Sequence, residues 1–227
     1  MLTARQEKLI RSLEAKKGRR ESGFCLVEGE KNIAEAKKFI EFTFTPEDSD
    51  DFSSLVDTVT PQPLAAVARI PIFTKEDIIQ RSIIVVLDGV QDPGNVGTIL
   101  RLCLGFDAAL VLIESADPSS PKVVRSSAGA FFNVPWVEVE RPGAEAVLSE
   151  FKYEIFRLEK TANSKAVIFN AETATSLPKK IMIIAGSEGQ GIKLSIKGAS
   201  LSIPHNAALE SLNVASALAI ILSGLYK

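Results

Sequence analysis

The chain is poor in the residues that build most metal and redox sites. It holds two cysteines, Cys25 and Cys103, and a single histidine, His205. Two cysteines are too few for a disulfide framework or a zinc site. Positive charge is also not in excess: 26 Lys and Arg face 28 Asp and Glu, giving a net charge of -2 and a pI of about 5.6. A chain-wide basic field for nucleic acid is therefore absent. The first stretch, Met1 to Arg20, lacks an apolar signal core, so a cytoplasmic location is expected. The longest apolar helical pattern, near Val214 to Leu225, falls short of the ~20 residues that cross a bilayer. No internal repeat or low-complexity segment stands out. What is present is substantial: 227 residues, 46% of them hydrophobic. That is enough for one large domain, or one domain with a small appendage.

Charge is locally concentrated. Arg5, Lys8, Arg11, Lys16, Lys17, Arg19 and Arg20 crowd the start, and "PEDSDDF" from Pro46 is acidic. A local basic patch can bind phosphate even on an acidic chain, although a solvated helix face has the same pattern. Leu2, Leu9, Ile10 and Leu13 predict a helix from Thr3 to about Lys16, broken by "GRRESG". "FCLVEG" reads as a strand and "EKNIAEAKKFIEF" as a helix. A domain boundary is expected within 74–81, dividing residues 1–78 from 79–227.

From Ile83 the pattern alternates strand and helix. Strands are expected at Ile83–Leu87, Ala109–Ile113, Trp136–Val139, Glu154–Leu158, Ile181–Ala185 and Leu201–Ile203. Helices are expected at Val96–Leu104, Pro121–Ala128, Ala144–Lys152, Ile192–Lys197 and Asn213–Tyr226. Apolar strands alternating with helices imply an α/β fold on a parallel sheet covered on both faces.

Three stretches can carry chemistry. In "DGVQDPGNVGTILRLCLGF", Val96, Ile99, Leu100, Cys103 and Leu104 form one helix face, and Arg101 lies on its flank, where it can present its guanidinium at a cleft edge. Asn95 is placed to cap that helix. In "IIAGSEGQGI" a buried strand ends in three glycines around Glu188. The spacing fits neither a dinucleotide fingerprint nor a P-loop. Glu188 needs a partner if buried, and Arg101 is one candidate. In "LSIPHNAALESLNVASALAIILSGLYK" a strand stops at Pro204, and Ser211 and Asn213 open a helix that is apolar nearly all round. Its amino end suits a carboxylate or phosphate. Ordinary capped helices and a plain glycine turn would account for each stretch taken alone.

Together the three stretches resemble the motifs of the SpoU family of RNA ribose methyltransferases, of the SPOUT class. "DPGNVGTILR", "IAGSEGQGI" and "IPHNAALESLNVASA" are similar to the family's three motifs in order and spacing. "PKVVRSSAGAFFNVP", with Lys122, Arg125, Ser127 and Gly129, resembles a further family segment. "KKGRRESGFCLVEGEK" to "PQPLAAVA" resembles the family's amino-terminal RNA-binding domain. The chain has Leu102 where the family usually has threonine, and His205-Asn206 where small or methionine residues are common.

The resemblance implies a small α/β amino-terminal domain and a parallel sheet with a deep carboxyl-terminal trefoil knot. It implies S-adenosylmethionine as methyl donor, a ribose 2′-hydroxyl as acceptor, and no metal, because the sulfonium already makes the methyl electrophilic. Ribosomal RNA is the expected substrate, with transfer RNA second, and the expected assembly is a homodimer that buries the last helix. Gly186, Ile203 and Leu212 would hold the cofactor through backbone groups, with Ala185, Gly191, Pro204 and Leu112 around it. Asn95, Arg101, Glu188, Ser211 and Asn213 would form the catalytic set, with Glu188 orienting Arg101. Arg11, Lys16, Lys17, Arg19, Arg20, Lys122 and Arg125 would contact RNA. Family proposals make the arginine a base. A guanidinium ordinarily keeps its proton beyond pH 12, so holding the phosphate and stabilising the alkoxide is the physically easier role. A Ser-His-Asp hydrolase with Ser187 or Ser211 as nucleophile is the rival enzyme class, but no G-x-S-x-G elbow supports it; a non-catalytic RNA-binding protein of the same fold is the third reading, and it would need the motif residues to be relics. His205 reads as a loop residue near the pocket rim.

Overall fold

The computed structural model describes residues 1–56, 60–159, 166–206 and 208–226. Ala207 and Lys227, which belong to the third motif stretch, lie outside them. The chain divides into two compact units: Met1–Ile72 with Asp117–Asn133, and Phe73–Ala116 with Val134–Lys227. Nothing in the sequence pattern groups Asp117–Asn133 with the first unit.

The first unit holds α1 (Ala4–Ser12), α2 (Lys16–Ser22), β1 (Phe24–Glu28), α3 (Glu30–Glu35), β2 (Ile40–Phe44), α4 (Phe52–Val56) and β3 (Ala65–Arg69). The three strands form an antiparallel sheet in the order β1-β3-β2. Thr3 opens α1 with a reciprocal capping box to Gln6. Ile10, Leu13, Phe44, Phe52, Leu55 and Val67 meet in its core. Two expectations fail here. "GRRESG" does not break a helix; most of it is α2. Gly18 is there because a Cβ would lie 1.9 Å from the Ser12 carbonyl oxygen, not because the chain turns. The helix read through "EKNIAEAKKFIEF" ends at Glu35, and Ile40 onward is β2.

The second unit follows with α5 (Lys75–Ile79), β4 (Ile83–Asp88), α6 (Pro93–Gly105) and β5 (Ala108–Ile113). Next comes α7 (Pro121–Ser126), which belongs to the first unit. The second unit resumes with β6 (Trp136–Val139), α8 (Ala144–Glu150), β7 (Glu154–Leu158), β8 (Val167–Ile168), α9 (Ala171–Ser176), β9 (Ile181–Gly186), β10 (Ala199–Ser202) and α10 (Val214–Leu225). Among the described residues the sheet has seven strands, all parallel, in the order β6-β5-β4-β9-β7-β10-β8. Every residue of β4 and β5 is buried, as expected for strands covered on both faces. The helix α10 packs on α6 and α9. Among the described residues no helix is long and apolar enough to cross a membrane.

The helix expected at Ile192–Lys197 is absent; the segment is irregular. Its backbone polar groups are captured by side chains instead. The fully buried Asp88 accepts from the Lys193 and Leu194 amides at 2.6 and 2.8 Å. Glu145 accepts from the Ser195 amide at 2.6 Å. Arg157 donates to the Leu194 and Ile196 carbonyls at 2.8 and 3.0 Å. Ile192, Leu194 and Ile196 still pack on the core, at the two-residue spacing of an extended chain and not the spacing of a helix face. Asp88 also accepts from Arg141 at 2.7 Å. Hydrogen bonds to Glu114 and Asp88 hold the Arg141 proton more firmly than usual.

Candidate active site

The carboxyl ends of β9, β7 and β10 are neighbours in the sheet, and ligands of open α/β sheets bind beyond such ends. A cavity of about 310 Å³ lies there. Its walls are Leu158 and Glu159 after β7, the Ala185–Glu188 turn with Gly191 and Ile192, the Ser202–Ile203 exit of β10 with His205, and Ser211, Leu212, Val214 and Ala217 around the start of α10. Gly186 cannot be another residue without movement. A Cβ on it would fall 2.1 Å from the Gly191 carbonyl carbon, because the chain doubles back on itself at this point. The lining described carries two carboxylates, Glu159 and Glu188, and no Lys or Arg.

Beside the cavity the three motif loops are joined by one hydrogen-bonded chain. Asn213 donates through Nδ2 to Asn95 Oδ1 at 3.0 Å. Asn95 donates through Nδ2 to Glu188 Oε1 at 2.6 Å. Asn213 Oδ1 meanwhile accepts from the Ala215 and Ser216 amides, so one side chain caps α10 and reaches α6. The cap of α6 is Asp92, not Asn95: Asp92 accepts from the Asn95 amide at 2.7 Å, with Pro93 at the first helical position. That leaves the Asn95 amide side chain free for the chain to Glu188 and Asn213.

Arg101 stands apart from this chain. It is exposed on α6, with no hydrogen bond or ion pair to any described residue. Six residues from Asn95, it sits about 9 Å further along the helix and on another face. The expected pairing of Glu188 with Arg101 is thus replaced by Glu188 with Asn95. Glu188 is also exposed, so burial does not force a cation beside it. Of the cofactor residues expected from the sequence, Ala185, Gly186, Gly191, Ile203 and Leu212 line the cavity and Pro204 does not. Leu112 is buried in the middle of the sheet, between Leu87 and Glu138, and does not reach it. Glu159 and Ser202 were missed. They come to the site only because β7 lies beside β9 and β10 beside β7, and strand order is not written in strand periodicity.

Among the basic residues expected on RNA, Arg19 is taken up inside the first unit. It is 3% exposed and holds Asp117 at 2.5 Å, Ser119 at 3.2 Å and the Leu13 and Glu14 carbonyls. Burial works against the charge on Asp117, but hydrogen bonds from Arg19 and Ser119 hold its carboxyl below the usual range. Arg11 is exposed and pairs with Asp51 at 2.6 Å, Lys17 with Glu21 at 3.8 Å, and Arg125 with Glu28 at 3.1 Å. Lys16, Arg20 and Lys122 are exposed. Both cysteines are buried; burial pushes the Cys103 thiol up to about 12 and Cys25 further, so neither is a nucleophile.

Residues 82–223 match the model of the SpoU rRNA Methylase family. The chain belongs to that family. Its relatives include the 23S rRNA (guanosine(2553)-2′-O)-methyltransferase RlmP of Bacillus subtilis, 30% identical and covering 93% of this chain and 92% of its own. A Synechocystis relative named as an uncharacterized tRNA/rRNA methyltransferase is 28% identical over 95% of this chain and 88% of its own. Among solved structures, a TrmH-family protein of Porphyromonas gingivalis matches 99% of this chain and 98% of its own with a TM-score of 0.82 at 30% identity. An AdoMet-bound rRNA methyltransferase from Sinorhizobium meliloti shares the fold, with a TM-score of 0.82 at 23% identity over 99% of this chain and 95% of its own. As a SpoU methylase the protein is an RNA methyltransferase, and the methyl donor of the family is S-adenosylmethionine.

Proposed function

We propose that this SpoU methylase transfers the methyl group of S-adenosylmethionine to a ribose 2′-hydroxyl of structured RNA, with ribosomal RNA ahead of transfer RNA. The observation that carries the proposal is the Asn213–Asn95–Glu188 chain, which ties all three motif loops together at the mouth of the cavity. The cavity suits the donor. Among the described lining residues, the two carboxylates and the lack of Lys or Arg favour a sulfonium cation, and the glycine turn lets backbone approach a ligand closely. The naming of the Bacillus subtilis relative as a 23S rRNA 2′-O-methyltransferase puts ribosomal RNA first.

The bound cofactor supplies an electrophilic methyl on a sulfonium. The work left to the protein is to place a hydroxyl oxygen in line with it and to stabilise that oxygen as its proton passes to solvent water, so that the O–CH3 bond forms as the bond from methyl to sulfur breaks. Asn95, held on both sides, offers a fixed polar group at the mouth, and Ser211 on the cavity wall offers a second. Arg101, exposed and unpaired among the described residues, takes the phosphate beside the target ribose and stabilises the developing alkoxide. Positioning of this kind supplies up to ~7–11 kcal/mol of barrier reduction.

Residues 1–78 serve as the RNA-binding domain and 79–227 as the methyltransferase domain, whose carboxyl end is threaded as a trefoil knot. The protein works as a cytoplasmic homodimer. Leu104 on α6 and Ile220 and Tyr226 at α10 remain exposed and apolar, and a second copy would cover them. The test is transfer of labelled methyl from S-adenosylmethionine to deproteinised ribosomal RNA, read as 2′-O-methylnucleoside after digestion. Label on a base, or no label on any RNA, would refute the proposal.

A further inference from the structure

His205 lies in the loop between β10 and α10 and lines the cavity assigned above to the cofactor. Its Nδ1 stands 2.8 Å from the Ile203 carbonyl oxygen. A carbonyl only accepts, so Nδ1 carries the proton. In a neutral ring Nε2 is then a lone-pair acceptor. That Nε2 is closed off from solvent and has no hydrogen-bond partner among the described residues. A buried polar atom left unpaired is costly, and such atoms in folded proteins are almost always satisfied. Here the ring is held from one side by the backbone, and the residue forms part of the cavity wall.

We infer that His205 Nε2 is a built acceptor for an N–H or O–H of S-adenosylmethionine, and so a positioning residue for the cofactor. The inference rests on the reading of the cavity as the cofactor site. His205 is not the general base of the reaction. The ring belongs to the cavity wall, not to the Asn95–Glu188 chain at the mouth. A second acceptor, the Glu159 carboxylate, lines the same cavity and already accepts from Ser200 at 2.7 Å. The wall thus favours ligands rich in donors.

The experiment is titration calorimetry of the full chain with S-adenosylmethionine, for wild type, His205→Leu and His205→Gln. Loss of one buried hydrogen bond weakens binding about tenfold in His205→Leu. His205→Gln, which can return an amide oxygen near the Nε2 position, recovers most of it. S-adenosylhomocysteine analogues lacking the adenine amino group, either ribose hydroxyl or the amino-acid ammonium then name the donor. One of them loses affinity for wild type but not for His205→Leu. Thermal unfolding checks that the variants fold, and if the leucine variant does not, the glutamine variant and the analogue series decide. Equal affinities in wild type and folded variants, with no analogue coupled to His205, overturn the inference and leave the cavity's assignment standing. A wild-type chain that binds no S-adenosylmethionine overturns both.

Discussion

Arg101 and Arg19 show how one residue type takes opposite roles in this chain. Arg101 sits on the flank of the α6 stripe and makes no contact that the fold needs. Arg101→Ala is expected to change stability by no more than about 0.5 kcal/mol. Cofactor affinity should be unchanged, while methyl transfer falls about a hundredfold or more. Arg101→Lys should restore little, because a point charge lacks the planar fork. Melting curves, calorimetry and turnover measured together check the pattern, and near-normal turnover in Arg101→Ala would place the chemistry elsewhere. Arg19 is the reverse. Removing it leaves the mostly buried Asp117 without its cation, so Arg19→Ala should cost about 3 kcal/mol in chemical unfolding. An unfolding midpoint equal to that of wild type would mean the pair contributes nothing. Nothing in the sequence separates Arg19 from Arg20; only tertiary packing buries one of them.

At the scale of elements, the strands of the second unit were legible because each is a continuous apolar run bounded by turn residues. β4, β5, β6, β7 and β9 fall within a residue of where the pattern puts them. β10 starts two residues earlier than expected, and the two-residue β8 is too short for periodicity to report. The failure at Ile192–Lys197 has a different cause. Apolar spacing records which side chains face the core, not where the amides go. In this segment the amides go to Asp88 and Glu145. Asp88→Ala should therefore unpin the segment after the Gly191 turn and leave Arg141 to Glu114 alone. The expected loss is about 3–5 kcal/mol of stability, far beyond an ordinary surface change. Hydrogen exchange should show the Lys193 and Leu194 amides losing protection first. Unchanged protection there would show that the carboxylate is not what holds the segment.

At the scale of the whole molecule, three residues that meet at the candidate site were marked by the sequence and their pairing was not. Motif spacing pointed to Asn95, Glu188 and Asn213, but a strand order that sets β4 beside β9 is what lets these loops meet. The same holds for Glu159, which no local pattern marks. The basic start is a whole-molecule property too, since its charge acts only against a long polyanion. Neutralising Arg11, Lys16, Lys17 and Arg20 together should weaken RNA binding and flatten the slope of log affinity against log salt, by roughly 0.7–0.9 for each phosphate that is no longer neutralised. Arg19 is left in place so that the fold is kept. A slope equal to that of wild type would make the patch a solvated face.

Methylation of a ribose hydroxyl with Arg101 at the site, as proposed, leaves a mark that can be read in cellular RNA. The most direct measurement is a map of 2′-O-methyl positions in total RNA from a strain lacking the protein, repeated after return of the wild-type chain or of Arg101→Ala. One ribosomal RNA position is expected to lose its 2′-O-methyl group; the wild-type chain should restore it, and Arg101→Ala should not. A map with every 2′-O-methyl group in place without the protein, or a lost group fully restored by Arg101→Ala, would contradict that expectation.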